Sequence, residues 1–252
     1  MRHLLTPEGD QALRDVLALD PILGFDFDGT LAPIVDHPDD VMVPPAVQRG
    51  LARLAQVLPV AVITGRSVAD VVPRLGFAPR YVIGNHGAED PGVAAAPALA
   101  SQALEALRRR SDALAGALLQ AGVEVEDKGL SMALHYRRAP DPGAALVCIE
   151  ALLQGLEPAL HRFGGKCVVN VVAAGLPDKG DALAALVRRC GAASAVFFGD
   201  DVNDEAVFIS AAPHWLTVRI GHDPLSRAMF FLDHDHELEP VLQRMQVLRG
   251  IA

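Results

Sequence analysis

Two aspartates stand two apart at the end of an apolar run in ILGFDFDGTLAPI: Asp26 and Asp28. In extended backbone, residues two apart face the same way. Their carboxylates would lie side by side and repel, unless a cation sits between them or one holds a proton. Gly29 and Thr30 add flexible backbone and a hydroxyl just beyond. A second acidic group, Asp200, Asp201 and Asp204 in FFGDDVNDE, follows another apolar run. Thr64 ends a third in VITGRS, beside the backbone amides of Gly65, and Lys179 in GLPDKGD opens a helical stretch. Carboxylates at two strand ends form a hard oxygen cage suited to Mg2+. One hydroxyl, one lysine and free amides at a helix start form a phosphate cradle. Each feature alone also reads as a capped turn or a solvated side chain; it is the set that points to chemistry.

Such a set needs elements that bring it together. Apolar strands are expected at 22–26, 60–64, 81–84, 195–199 and 216–220, with MFFL (229–232) as an edge strand. Between them run expected helices: one capped by Thr6 and reaching about Leu19, one over 44–58, and a short one capped by Ser67. Others follow over 180–190, from about Asp204, and from about Glu237. Fully apolar strands alternating with helices predict an α/β fold, a Rossmann-like doubly wound parallel sheet covered on both faces. Such sheets bind ligands beyond the carboxyl ends of their strands, where Asp26, Thr64 and Asp200 fall.

The texture changes over residues 90–173, after the Pro/Ala-rich crossing PGVAAAPALA. A helix, two strands joined through Gly129, a helix and a strand are expected there, and the strands alternate. Alternation implies a sheet with one open face, and hence an inserted smaller α+β domain within a core of 1–89 and 174–252. Met132, Leu134, Tyr136, Cys167, Val169 and Val171 should face inward. Glu126, Lys128, Ser131, His135, Arg137, Lys166 and Asn170 should face outward. An ordinary solvated face would look the same. Three cations on it, in a chain of net charge −9, favour a reader of anions or sugars.

Composition narrows the classes. The 252 residues are 51% hydrophobic and 21% charged, a globular balance. The acidic net charge argues against nucleic acid or an anionic membrane as partner. The one basic run, Arg108 to Arg110, reads as a solvated helix face. Three scattered cysteines fit a reducing compartment, and without a leader or membrane span the expectation is a cytoplasmic protein. DHDHE (233–237) reads first as a solvated turn, second as transition-metal ligands.

DFDGT, ITGR, Lys179 and GDDVND resemble, in order, the four motifs of haloacid dehalogenase-like phosphatases. DHPDDVMVP, GNHGAE, KGLSMALHYR and GKCVVN resemble trehalose-6-phosphate phosphatases, over most of the chain. The resemblance implies a Mg2+-dependent phosphatase whose inserted domain is a cap, acting on a small-molecule sugar phosphate with no obligate protein partner. It makes Asp26 the nucleophile and Asp28 the general acid, then base. Asp26, the Asp28 carbonyl and Asp200 would hold Mg2+, with Asp204 or Asp201 supporting its waters. Thr64, Gly65 and Lys179 would bind the phosphoryl group. Glu126, Lys128, Arg137 and Lys166 would contact sugar, with Asn85, His86 and Glu89 at the hinge.

The likeness departs at Asn170, where the family generally has Glu, at Val172 and Ala173, and at Asn203, where it usually has Thr. Asn170 still donates and accepts but lacks charge assistance. Two alternatives therefore stand beside trehalose 6-phosphate. One is the same chemistry on sucrose 6-phosphate or a glucosylglycerol phosphate; the other is a catalytically dead phosphosugar-binding module. The binder is disfavoured by Asp28, for which it has no use.

Overall fold

The computed structural model describes residues 1–35, 41–93, 98–156 and 159–251. Residues 36–40 of DHPDDVMVP and 94–97 of the Pro/Ala-rich crossing lie outside them. The chain divides into two compact units, Met1–Pro91 with Pro177–Ala252, and Gly92–Leu176.

The first unit opens with β1 (Arg2–His3), α1 (Pro7–Leu17), β2 (Ile22–Phe25), α2 (Pro45–Leu54), β3 (Val60–Ile63), α3 (Val68–Leu75) and β4 (Tyr81–Ile83). The second holds α4 (Ala98–Ala113), α5 (Ala115–Gln120), β5 (Glu124–Asp127), β6 (Ser131–His135), α6 (Pro142–Leu153), β7 (Leu160–Gly165) and β8 (Val168–Ala173). The first resumes with α7 (Lys179–Cys190), β9 (Ala195–Gly199), α8 (Glu205–Ser210), β10 (Leu216–Ile220), β11 (Phe230–Leu232) and α9 (Leu238–Leu248). Among the described residues no helix is long and apolar enough to cross a membrane.

Local chemistry sets these boundaries. Thr6 accepts from the Gly9 amide ahead of Pro7, and Ser67 accepts from the Asp70 amide. Asp178 and Asp181 close a capping box at the start of α7, and left-handed Gly191 ends it. The first unit's sheet runs β1-β11-β10-β9-β2-β3-β4, parallel throughout. Leu23, Phe25, Val62 and Phe198 pack with Leu13, Leu51 and Leu242 on one face. Ile22, Ile63 and Phe197 pack with Leu183, Leu186 and Val207 on the other. That is the doubly wound sheet the apolar runs predict. One expectation changes: Phe230–Leu232 is not the edge, because Arg2–His3 pairs outside it. Two residues are too few to show a period in sequence.

The second unit's antiparallel sheet runs β5-β6-β8-β7. Strand β7 is an addition to the sequence reading: LHRFGG carries two glycines and no alternation, the mark of an edge. Met132, Leu134 and Val171 pack with Leu104, Leu107, Ile149 and Leu152 on the helix side. Ser131 and Asn170 lie on the opposite face as expected, yet both are buried, Asn170 to 5% exposure. Strand pairing puts Asn170 in a row with Ala133 and Phe163, so an inner-strand position is shielded by its neighbours.

Cys167, expected inward, is instead exposed in the tight turn between β7 and β8, at φ 63°. The two-residue connection, unseen without β7, forces a left-handed conformation that side chains resist. Cys167→Gly will therefore stabilise the chain, by about 0.5–1 kcal/mol in urea unfolding.

Candidate active site

Strands β9, β2, β3 and β4 are parallel neighbours, so Asp200, Asp26, Thr64 and Asn85 follow adjacent carboxyl ends. Lys179, the first residue of α7, is 1% exposed. Its Nζ lies 2.8 Å from an oxygen of Asp26 and 2.8 Å from one of Asp204. Burial alone would lower this ammonium; Asp204 and Asp26 outweigh it and hold Lys179 above its usual range. The second Asp204 oxygen accepts from the amides of Asp200 (2.9 Å) and Asp201 (3.0 Å), fixing the GDDVND turn.

The two side chains of the opening pair turn to different partners. Phe27 between them is fully buried, and its carbonyl accepts from the Leu31 and Ala32 amides at 3.0 Å each, closing a tight turn. Asp26 points to Lys179, while Asp28, with a side chain 41% exposed, forks onto Arg66 at 2.8 and 2.9 Å. Each carboxylate has its own positive partner, an outcome that spacing alone does not reveal.

Asp26, Asp200 and Asp204 are buried, and one carboxylate oxygen from each lies within 4.8 Å of the other two. Burial pushes the Asp26 carboxyl well above the usual range; Asp204 and Asp200 add to the push, and Lys179 opposes it. Three crowded carboxylates against one ammonium fit a divalent cation, and an all-oxygen set fits a hard one. Gly29 permits this crowding: at φ 79°, any Cβ would stand 2.1 Å from an Asp200 oxygen. Asp201 is not part of the cluster, since its side chain accepts from the Val202 amide and caps the turn.

Thr64 is buried, and its hydroxyl oxygen accepts from the Arg66 amide at 3.2 Å, which keeps its own O–H to donate. Asn85 and His86 are both left-handed, at φ 48° and 59°, and the His86 ring lies against Gly65. One Glu89 oxygen accepts from the Val68 amide (2.9 Å) and the Asn85 side chain (2.7 Å), tying this turn to the start of α3. Gly87 packs on the Asp178 carbonyl, 2.3 Å from where a Cβ would stand. Asn85, His86 and Glu89 thus build the wall behind Thr64 and Gly65. Arg66 is the residue that the sequence reading left out; its motif was visible, its partner 38 positions away was not.

In the second unit, Glu126 joins His135 at 2.9 Å and Lys128 at 3.5 Å. Burial alone would raise the Glu126 carboxyl; the His135 hydrogen bond and Lys128 outweigh it and hold it low. Arg137 donates to the Lys166 carbonyl at 3.3 Å. From DHDHE, Asp233 and Glu237 gather instead around His3, at 3.5 and 3.4 Å from Nε2. The Leu5 amide donates to His3 Nδ1 at 3.2 Å, which assigns the ring proton to Nε2, between the carboxylates. That nitrogen is then a donor, and the group ties β1 down instead of offering a metal a lone pair.

The sequence profile of the trehalose-phosphatase family matches residues 24–227. A trehalose-phosphate phosphatase of Mycobacterium avium is 33% identical, over 97% of this chain and 68% of its own length. One of Mycobacterium tuberculosis is 32% identical, over 90% of this chain and 62% of its own, so this chain is shorter than its mycobacterial relatives. The trehalose-6-phosphate phosphatase of Escherichia coli is 36% identical, over 73% of this chain and 71% of its own. Among solved structures, a trehalose-6-phosphate phosphatase related protein shares the fold at a TM-score of 0.75 and 21% identity, covering 91% of this chain and 98% of that one. The C-terminal domain of the C. albicans trehalose-6-phosphate phosphatase does so at 0.71 and 21%, covering 96% of each. With the profile and the relatives in agreement, the chain belongs to the trehalose-phosphatase family, a family of phosphoric monoester hydrolases.

Proposed function

We propose that this chain hydrolyses trehalose 6-phosphate to trehalose and phosphate, with Mg2+, through an aspartyl-phosphate on Asp26. The observation that carries this reading is the buried cluster of Asp26, Asp200 and Asp204 around Lys179 at the sheet's carboxyl end. Asp26, Asp200 and the Asp28 carbonyl would hold Mg2+, with Asp204 in support; the ion supplies charge stabilisation to the transferring phosphoryl group.

In the first displacement an Asp26 oxygen bonds to phosphorus as the bond from phosphorus to the sugar oxygen breaks. That oxygen leaves with the electron pair and takes a proton from Asp28. In the second, water attacks phosphorus, gives a proton to Asp28, and the Asp26 carboxylate departs. Asp28 ends one proton up and one down, and the sum consumes one water. Thr64, the Gly65 amide and Lys179 would neutralise the phosphoryl oxygens.

Residues 90–173 would act as the cap. Glu126, Lys128 and His135 form one polar group for sugar hydroxyls, and Arg137, held by the Lys166 backbone carbonyl, would with the Lys166 ammonium supply further contacts. A different sugar phosphate is the second reading, favoured by the buried amide of Asn170 where a carboxylate is usual. The test is phosphate release from trehalose 6-phosphate, glucose 6-phosphate and sucrose 6-phosphate, with and without Mg2+. Mg2+-dependent release from trehalose 6-phosphate alone is expected. Faster release from another sugar keeps the chemistry and moves the substrate; no release from folded protein overturns the phosphatase reading.

A further inference from the structure

Arg66 is fixed on every side. Its Nε and Nη2 fork onto Asp28 at 2.8 and 2.9 Å, and Nη1 donates to Asp70 at 2.7 Å. The guanidinium lies 5.3 Å from the centre of the Phe27 ring. Its backbone N–H donates to Thr64 Oγ1 and its carbonyl accepts from the Asn85 amide. Asp70 is held in turn by Arg74 at 2.7 Å. Alternating charges thus run from the site into α3: Asp28, Arg66, Asp70, Arg74. Burial alone would lower the Arg66 guanidinium; Asp28 and Asp70 outweigh it.

The exposures are unequal. The Arg66 side chain is 11% exposed, the Asp28 side chain 41%. A carboxylate this open on a turn would sample its rotamers freely, and ordering it needs a partner that is itself ordered. An anchored planar fork does that, where a lysine offers only a point charge.

We infer that Arg66 is a positioning residue for phosphoryl transfer: it sets the direction of the Asp28 side chain, so that Asp28 meets the leaving oxygen while Asp26 stays with Lys179. The inference rests on the reading above, in which Asp28 hands its proton to that oxygen. A carboxyl group carrying a proton on one oxygen still accepts from the guanidinium through the other. The same arginine can therefore hold Asp28 through both displacements.

The discriminating property is the leaving group. A sugar alkoxide needs a proton as it departs; 4-nitrophenolate does not. Turnover of 4-nitrophenyl phosphate and of the sugar phosphate cleaved best in the panel would be compared for the full chain with Mg2+. Asp28→Asn gives the reference ratio. Arg66→Met should lower kcat on the sugar phosphate by roughly 100-fold, with KM within about threefold, and lower nitrophenyl phosphate turnover by less than about fivefold. Arg66→Lys should recover part of the loss. If Arg66→Met does not fold, Asp70→Asn loosens Arg66 without touching Asp28 and should shift the same ratio by about threefold. An unchanged ratio in folded variants, or equal loss on both substrates, overturns the inference and leaves the phosphatase reading standing. A wild-type chain that cleaves neither ester overturns both; an Asp28→Asn variant with the wild-type ratio overturns the acid role of Asp28 and the inference with it, and leaves the phosphatase reading standing.

Discussion

Asp26→Asn will abolish phosphate release, by ~10⁴-fold or more, while the chain stays folded. In the proposed reaction Asp26 is the nucleophile; an amide is neutral and a poor one, so no displacement at phosphorus can begin. The fold is spared because burial and the neighbours Asp204 and Asp200 already press Asp26 toward its neutral form. The same crowding sets a pH dependence. The folded carboxyl keeps a proton that the unfolded one, with an ordinary value near 3.8, has released. In that interval the native state binds more protons, so stability falls as pH rises. The contribution is fully present below pH ~4 and is lost as pH climbs through the raised folded value. In the metal-free chain the melting temperature of the wild type, taken relative to that of the Asn variant, should therefore fall as pH rises from ~4, a difference that cancels the carboxylates common to both. Added Mg2+ should restore the wild type more than the variant, since it binds the ionised cluster. A difference between the two that does not change with pH would show that Asp26 is not held neutral.

Lys179→Met will destabilise the chain by about 3–5 kcal/mol and also remove activity. Methionine matches the lysine stem in bulk, so the loss is not a cavity. It comes from leaving Asp26 and Asp204, each 2.8 Å from Nζ, buried without their shared ammonium. Urea unfolding measures the loss. Adding Asp26→Asn to Lys179→Met should return part of it, because one of the two groups that lost the ammonium can no longer ionise, and a double-mutant cycle will expose that coupling. Simple additivity would mean that the pair is energetically separate.

The core was legible because a parallel sheet buried on both faces leaves a plain trace, apolar runs bounded by polar ends. The places of Asp26, Thr64 and Asp200 at strand ends, and of Lys179 at a helix start, were legible because their motifs are local. What escaped depended on pairing across the chain. Spacing set Asp26 beside Asp28; only the fold delivers Lys179 to one and Arg66 to the other. Alternation placed Asn170 on the correct face but not in the shielded inner strand, since the edge strand LHRFGG has no pattern to announce it. Alternation turns Cys167 inward for the same reason: without β7 there is no turn to hold it. Asp201 and Asp204 share one capping box and one residue type, so type alone does not separate them.

The contact of Gly87 with the Asp178 carbonyl has a consequence for chain entropy. The first unit lets the chain out and takes it back at points that touch, so everything between them is, for that unit, a closed loop. Closing a flexible loop costs only about 0.6 kcal/mol more for each doubling of its length. Insertions, deletions or a wholly different module between these points would thus weigh little on the sheet that carries Asp26, Lys179 and Asp200.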